Sequence, residues 1–378
     1  MKIAINALSA RTGGGVVYLR NLIRSLVERM DENTYIVFVS ADSRTKVVPK
    51  NHERLNVVEV RVSSVSCRLL YEQTVLPLLL ATRRVDILLA PAEIAPLLSP
   101  CPVVLCFQNA NIYQRKGIRR RATDRCRNSV LFLLAWLSAR RAKELVFVSR
   151  TAQRLVTSAL GLDPERGHVV YHGVDPLFLP EMQDAESHPV RTTTGNILCV
   201  SAIAPHKNIA CLVDAYKILR TLGGPERSLL IVGPFIDQPY YERISRTLRD
   251  AGLDPARILA GEMPFENLRS AYRDASLLVF PSKLETFGLP LIEAMALGVP
   301  ILAANASCIP EIVGDAAILF DPDDPHELSE TMGHLLADRD SMARLAERGC
   351  ARAAQFSWSI AAEKMLEILQ QAGSRGPR

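Results

Sequence analysis

The chain has 378 residues, of which 48% are hydrophobic and 22% are charged, and its formal net charge is +5. These values describe a globular chain that is too long for a single core, and the mild positive charge favours acidic ligands without requiring nucleic acid. No apolar run reaches the roughly 18 to 20 residues that a membrane-spanning helix needs, so the chain is predicted not to cross a membrane.

The cysteines are scattered along the chain, at positions 67, 101, 106, 126, 199, 211, 308 and 350. They form no C-x-x-C pair and do not cluster with histidine, which predicts reduced thiols and no metal site. The first residues, Met1-Lys2-Ile3-Ala4-Ile5-Asn6, have the pattern of a strand, and no signal peptide precedes them. A cytoplasmic protein is therefore expected.

Short apolar strands alternate with helical patterns along the chain. In the first half, strands are predicted at residues 2–8, 35–40, 55–60, 86–90, 103–107, 145–149 and 169–171, with helices at 16–30, 68–83, 119–143 and 151–160. After a polar stretch at 180–195, interpreted as a linker, strands are predicted at 197–202, 229–232, 277–280, 301–304 and 318–321, and the last helices at 341–354 and 359–371. This order predicts an α/β fold with two doubly wound domains, residues 1–180 and 190–356, that face each other across a cleft.

A run of glycines, Gly13-Gly14-Gly15, lies between the first predicted strand and the first predicted helix. Glycine allows an anion to come close to the backbone at a helix start, so Gly14 and Gly15 are candidate ligand contacts. The run is not a G-x-G-x-x-G fingerprint, and a triple glycine is more often only a flexible turn. Both interpretations stay open.

A lysine occupies the corresponding place in the second half. Lys207 follows the predicted strand 197–202 and precedes a helix predicted at 209–222. A cation there can offset negative charge that develops on a leaving group. The alternative, a solvated lysine, is weakened because a cation is disfavoured at the positive end of a helix dipole.

The segment 280–296 sets two carboxylates around a glycine turn. The apolar run 275–280 predicts a buried parallel strand, Glu285 lies beyond its carboxyl end, and Pro290 opens a helix at 291–297 that carries Glu293 in its first turn. Ligands of open α/β sheets bind outside the carboxyl ends of the strands, and carboxylates accept hydrogen bonds from vicinal diols. Taken singly, each glutamate could equally be a solvated loop residue or a complement to the helix dipole.

The spacing Glu285-x₇-Glu293 around Phe287-Gly288-Leu289-Pro290 resembles the signature of the retaining glycosyltransferases of family 4, which have the GT-B fold. The resemblance implies a nucleotide-diphosphate sugar as donor substrate, no cofactor and no metal, with Lys207 and Glu285 as catalytic residues. The donor-binding residues that it implies are Gly14, Gly15, His206, Lys207, Glu285, Thr286, Phe287, Gly288, Leu289 and Glu293. Among these, Lys207 binds the diphosphate, Glu285 faces the sugar and Glu293 the ribose.

Two further segments resemble the family. The run from Cys308 to Ala317 matches a pattern whose role is largely structural. The segment Phe356-Ser357-Trp358 resembles one that carries the last helix, predicted within 359–378, back onto the first domain. Plain core packing of Trp358 is an equally valid and compatible explanation.

The chain departs from the family pattern at three places. Ala202 and His206 stand where many members have arginine, so phosphate binding is expected to be weaker or to titrate with pH. Gln108-Asn109 stands where many members have His-Asp, on the acceptor or sugar side. Neither amide can act as a base, but in retaining transfer the departing phosphate can take the acceptor's proton. The mechanism is therefore retained, whereas the identity of the sugar stays open.

The helix predicted from residue 119 carries a basic patch, Arg119, Arg120 and Arg121, ahead of the apolar run 130–137. This combination suits the headgroup layer of an anionic membrane, where a lipid-linked acceptor would be met. The alternative is a helix that packs its apolar side in the core beneath solvated arginines. Nucleic acid is not an expected partner, because no reader motif accompanies the charge.

These features predict a cytoplasmic retaining hexosyltransferase, peripheral on the inner face of the membrane. It would move a sugar, mannose or a similar hexose, to a glycan or lipid-linked acceptor in cell-surface polysaccharide or lipopolysaccharide synthesis. The alternatives are a catalytically silent sugar-nucleotide or membrane-binding protein, and a sugar-nucleotide epimerase with the same fold. The donor base, the acceptor, the linkage and the oligomeric state are not determined by the sequence.

Overall fold

The computed structural model describes residues 1–11, 13–48, 52–109, 113, 122–179 and 195–374. The chain divides into two compact units, Met1–Gly173 together with Ser357–Arg378, and Val174–Phe356. Each unit is built around one parallel sheet.

The sheet of the first unit has the strand order β3-β2-β1-β4-β5-β6-β7, and all its pairs are parallel. The strands are β1 (Lys2–Ala7), β2 (Thr34–Ser40), β3 (Leu55–Val60), β4 (Ile87–Ala90), β5 (Val103–Phe107), β6 (Glu144–Phe147) and β7 (His168–Val169). The helices between them are α1 (Gly14–Val27), α2 (Arg44–Val47), α3 (Val65–Thr82), α4 (Ala122–Arg141) and α5 (Arg150–Leu160).

Both faces of this sheet are buried at its central strands, which explains why β4 and β5 are continuous apolar runs. Along β1, Ile3 and Ile5 belong to one core cluster, whereas Ala4 belongs to another on the opposite face. Successive side chains of a strand point to opposite faces, so a strand covered on both faces is apolar at nearly every position.

The sheet of the second unit has the order β10-β9-β8-β11-β12-β13 and is also parallel. Its strands are β8 (Asn196–Val200), β9 (Leu229–Val232), β10 (Leu259–Gly261), β11 (Ala275–Phe280), β12 (Ile301–Ala304) and β13 (Ile318–Phe320). Its helices are α6 (Ile209–Thr221), α7 (Gln238–Asp250), α8 (Pro255–Ile258), α9 (Phe265–Arg273), α10 (Leu289–Ala296), α11 (Ile309–Val313), α12 (Pro325–Ala337) and α13 (Arg339–Ala353). The prediction of two doubly wound α/β domains is confirmed.

The last helix, α14 (Trp358–Ser374), belongs to the first unit. Its residues Met365 and Leu369 are fully buried in the same core cluster as Leu19 and Leu22 of α1. Trp358 also packs edge-on against Tyr18, with 5.8 Å between the ring centroids. The core of the first unit therefore includes a helix that follows the whole second unit in the sequence.

The boundary between the units falls earlier than the predicted residue 180, at Gly173. The segment that follows belongs to the second unit because it packs there: the Phe178 ring lies 5.6 Å from that of Tyr272, and Arg269 donates to the carbonyl of Leu179 at 3.4 Å. The predicted linker at 180–195 lies outside the described residues except for its last position. Among the helices that the structure describes, none is long and apolar enough to cross a membrane.

Candidate active site

The order of the second sheet reverses between β8 and β11. From β8 the chain continues outward to β9 and β10, and from β11 it continues the other way to β12 and β13. Where the order of a parallel sheet reverses, the loops beyond the two central strands leave in opposite directions and open a crevice that binds ligands. Lys207 and Glu285 lie on these two loops.

The structure brings Lys207 and Glu285 into direct contact. The Lys207 Nζ atom donates to Oε1 of Glu285 at 2.6 Å. The two side chains are 19% and 12% exposed, so the pair is largely screened from water. Removing one partner of such a largely buried ion pair destabilises the folded protein, because the remaining buried charge is left without a counter-charge.

Backbone contacts hold both loops against each other. The Lys283 N–H donates to the carbonyl of His206 at 3.0 Å. Ser307 clamps Glu285 on both sides, since its hydroxyl accepts from the Glu285 N–H at 3.1 Å and donates to the Glu285 carbonyl at 2.5 Å. The glutamate backbone is thus fixed independently of its ion pair with the lysine.

Gly288 makes the turn into α10. Its φ is 91°, in the left-handed region that favours glycine, and a Cβ there would lie 2.9 Å from Cδ1 of Leu291. Leu289 and Pro290 then open the helix. Pro290 has no N–H group and the Leu291 N–H donates to the Gly288 carbonyl at 3.0 Å, so the N–H groups of Gly288 and Leu289 are the ones that a helix start offers to an anion. Thr286 is partly buried in the turn, and the Phe287 ring is buried.

Glu293 is only 5% exposed. The hydroxyl of Tyr272, on α9, donates to its Oε2 atom at 2.8 Å. Burial raises the pKa of the Glu293 carboxyl from 4.5 to about 7, with the nearby Asp175 charge raising it further and the tyrosine hydrogen bond opposing the rise. The sequence reasoning missed Tyr272, and nothing in the chain around it signals that it pairs with a glutamate in the next helix.

His206 is partly buried beside Lys207. Burial and the neighbouring lysine charge both lower its pKa from 6.5, and Glu285 only partly opposes them. The lowered pKa favours the neutral imidazole. That phosphate binding is weaker here, or titrates with pH, stays a prediction.

The other predicted site residues lie in the first unit. Gly14 begins α1, with Gly15 directly after it, and Gly13 before them has a φ of 65°. Gln108 and Asn109 follow β5, and both backbone N–H groups donate to Oε1 of Glu93, at 2.9 and 2.8 Å. Glu93 was not among the predicted residues, although a lone carboxylate in the apolar stretch Pro91-Ala92-Glu93-Ile94-Ala95 was a visible signal.

Two family models match the chain. The model described as "Glycosyl transferases group 1" matches residues 182–352, and the one described as "Glycosyltransferase Family 4" matches residues 12–177. This chain belongs to the group 1, family 4 glycosyltransferases. The family membership predicted from the glutamate pair and the F-G-L-P turn is confirmed.

Named relatives of this family 4 member match only in part. The O-antigen chain mannosyltransferase B of Escherichia coli is 36% identical over 167 residues, which are 43% of this chain and 42% of the relative. The MMP alpha-(1->4)-mannosyltransferase of Mycolicibacterium hassiacum is 30% identical over 246 residues, 63% of this chain and 56% of the relative. The chain thus spans about half the length of these curated relatives.

The fold of this family 4 member also resembles a solved structure over nearly its whole length. The crystal structure of HepE from Anabaena, in complex with UDP and glucose, matches with a TM-score of 0.75 at 20% identity, covering 98% of this chain and 100% of that one. At this identity the match shows the fold, and it confirms the predicted GT-B class.

A double-mutant cycle tests the coupling between Lys207 and Glu285. Lys207→Met should lower the free energy of unfolding by about 1 to 3 kcal/mol, because it leaves a largely buried carboxylate without its cation, and adding Glu285→Gln should restore part of that loss. Urea denaturation measures all four species.

The exposed pair Lys217–Asp214 on α6, with side chains 36% and 47% exposed, is the matched control. Its coupling energy should stay below about 1 kcal/mol. A Lys207–Glu285 coupling no larger than that of the control pair would contradict the structure of the site.

Glu293→Gln should stabilise the folded protein in a pH-dependent way. Because the folded pKa is about 7 and the ordinary value 4.5, the folded state binds the proton more tightly, and stability falls as pH rises between these values. Glutamine cannot ionise and still accepts a hydrogen bond from the Tyr272 hydroxyl, so the variant should gain about 3 kcal/mol above pH 7. Denaturation across this pH range measures the gain.

The gain should vanish well below pH 4.5, where the wild-type carboxyl is protonated in both the folded and the unfolded state. Glu266→Gln, at an exposed position on α9, should show no such dependence. A difference between Glu293→Gln and wild type that is equal at both ends of the range would show that burial does not shift the pKa of Glu293.

Proposed function

We propose that this chain is a cytoplasmic retaining glycosyltransferase, a hexosyltransferase that transfers a sugar from a nucleotide-diphosphate sugar to a glycan or lipid-linked acceptor. The observation that most supports this is the Lys207–Glu285 pair, joined at 2.6 Å where the sheet order reverses and beside the helix start at Gly288. A cation, a carboxylate and the N–H groups at a helix start, all at one edge of the sheet, are what a phosphorylated sugar requires.

The diphosphate would be neutralised by the protein alone. Lys207 would place its ammonium against the phosphate oxygens, and the first N–H groups of α10 would add hydrogen bonds. Because charge grows on the leaving diphosphate as the reaction proceeds, these contacts strengthen in the transition state, and losing one such contact costs on the order of 100-fold in rate.

The sugar would be oriented by Glu285. On binding, its carboxylate would accept hydrogen bonds from sugar hydroxyls, while the backbone N–H groups of Phe287 and Gly288 would donate to the same ring. The Ser307 clamp keeps the glutamate backbone in place when Lys207 turns toward phosphate.

Transfer breaks the bond between the anomeric carbon and the phosphate oxygen and forms one between that carbon and the acceptor oxygen. The electron pair of the broken bond stays on the phosphate, which takes the proton of the acceptor hydroxyl on the same face. The configuration is therefore retained, and no side-chain base is required, consistent with Gln108-Asn109 in place of His-Asp.

The ribose would be held by Glu293. A carboxylate has about four lone-pair sites, so the bond from Tyr272 leaves positions for two vicinal hydroxyls. Keeping this group buried costs stability above pH 4.5, since burial disfavours its charged form. A buried carboxylate that the fold destabilises is a functional candidate for that reason.

Mannose or a similar hexose is the sugar best supported by the two relatives described above, since both are named mannosyltransferases. The word O-antigen in one of these names supports a setting in cell-surface polysaccharide or lipopolysaccharide synthesis. The donor base is left for experiment.

An anionic membrane surface is the proposed location of the acceptor. The predicted patch Arg119, Arg120 and Arg121 lies outside the described residues. In the described part of α4, Val130 and Leu133 are 50% and 54% exposed, which supports an apolar surface on this helix.

A thermal-shift panel of GDP-, UDP-, dTDP- and ADP-sugars tests the donor site. At least one should raise the melting temperature of the wild type, because a ligand that binds only the folded state stabilises it. Glu293→Gln should weaken binding of that donor by about 10-fold or more, as a hydrogen bond to a charged group contributes about 1.5 to 3 kcal/mol.

Glu266→Gln is the control and should bind the donor as the wild type does. NMR of the product then determines the reaction: a new linkage of retained configuration is expected. An isomerised nucleotide sugar would indicate an epimerase, and binding without turnover would indicate a silent protein. No shift with any of the four donors would contradict the proposed function.

Arg119, Arg120 and Arg121 changed together to Ser should release the protein from vesicles that contain phosphatidylglycerol. Each cation near an anionic surface contributes about 1 kcal/mol, so binding should fall on the order of 100-fold. Vesicle sedimentation measures it, and the same change at the exposed Arg243, Arg246 and Arg249 of α7 is the control. Equal binding of both triple variants would disprove the membrane patch.

A further inference from the structure

Glu93 joins the ends of two neighbouring strands in the first unit. The strands β4 and β5 are parallel neighbours, so the loops after them leave from the same edge of the sheet. Glu93, after β4, accepts the N–H groups of Gln108 and Asn109, after β5, on one carboxylate oxygen at 2.9 and 2.8 Å. Its own N–H donates to the carbonyl of Cys106 at 2.9 Å.

This arrangement costs stability. Glu93 has a φ of 52°, in the left-handed region, which strains the backbone of a residue other than glycine. Burial also raises the pKa of its carboxyl from 4.5 to about 7, against the opposing effects of the two N–H bonds and of Arg68 on α3. Glycine or asparagine would adopt this backbone more easily, so the backbone conformation does not account for a glutamate here.

The carboxylate acts on the loop through its backbone. Two consecutive N–H groups that converge on one oxygen restrict the rotation of the peptide units of Gln108 and Asn109, and with it the directions in which their side chains leave. Both side chains end in amides, which can donate to and accept from sugar hydroxyls.

We propose that Glu93 is a positioning residue: its carboxylate fixes the backbone of Gln108 and Asn109 so that their side-chain amides bind sugar hydroxyl groups. The proposal rests on the proposed function, since it deepens the role of Gln108 and Asn109 in that function. Glu93 holds the backbone of this loop in place but does not itself contact the sugar.

The strength of the two hydrogen bonds to Glu93 depends on pH. An ionised carboxylate accepts stronger hydrogen bonds than a protonated one, so the loop is held best above pH 7 and less well below it. The titratable and charged groups that face Glu93 are Arg68 from α3, Cys106 from β5 and the buried Tyr113. Burial keeps the pKa values of Cys106 and Tyr113 raised, so both stay neutral through this range.

Hydrogen exchange at the backbone N–H groups of Gln108 and Asn109 measures directly how firmly the Glu93 carboxylate holds them. Glu93→Ala should accelerate exchange at Gln108 and Asn109 by about 10-fold or more relative to wild type, because it removes a charged acceptor. Glu93→Gln keeps an acceptor oxygen, so it should restore most of the protection, and its protection should not change across pH 7, whereas that of the wild type should.

Sugar binding is measured on the same protein with selectively ¹⁵N-labelled asparagine and glutamine. Methyl α-D-mannopyranoside should shift the side-chain amide signals of Gln108 and Asn109 in wild type and in Glu93→Gln, but not in Glu93→Ala. Glu144→Gln is the matched control, because Glu144 is a partly buried carboxylate at the start of β6, at the opposite edge of the same sheet, where it pairs with His168 at 3.1 Å.

Unchanged exchange in Glu93→Ala, or faster exchange in Glu144→Gln to the same extent, would overturn the positioning role. Side-chain signals that do not respond to the glycoside in wild type would overturn the assignment of the loop to glycan hydroxyls. A failure of the proposed function is seen separately, as the absence of any thermal shift with the nucleotide sugars.

Discussion

The reversal of strand order between β8 and β11 is the constraint on which the second unit's chemistry depends. Two parallel neighbours whose connections run in opposite directions leave their loops uncovered by a helix at that point. Lys207 and Glu285 are 78 positions apart in the chain, yet this reversal brings them to 2.6 Å. The glycine turn at Gly288 then aims the start of α10 toward the same edge.

Each unit also holds a carboxylate whose pKa burial raises to about 7, Glu93 in the first and Glu293 in the second. Each has a specific partner, a pair of backbone N–H groups for Glu93 and the Tyr272 hydroxyl for Glu293. A fold selected for stability alone would replace such groups, since burial disfavours their charge. Each therefore lowers the stability of its own unit at a pH where its carboxyl is ionised.

Much of the fold could be predicted because its strands are apolar on both faces. The bounds of β5, β9 and β12 agree with the prediction, since a strand buried on both faces is a continuous apolar run with a clear beginning and end. The bounds of β3 also agree, although Asn56 and Glu59 of this outermost strand are exposed. The strand β10 was missed because it has only three residues, of which Ala260 is exposed, so it carries no periodic signal. The unit boundary was placed late because Phe178 packs against a residue far ahead in the chain.

By itself, the sequence determined the fold class, the family and the loops that carry Lys207, Glu285 and Glu293, because hydrophobic periodicity, glycine turns and motif spacing are local properties of the chain. Only the tertiary structure decided which side chains pair. The bonds from Tyr272 to Glu293 and from the Gln108–Asn109 backbone to Glu93 join separate elements, and they depend on strand register and helix packing. Register and packing follow from the burial of the whole core, which no short segment encodes.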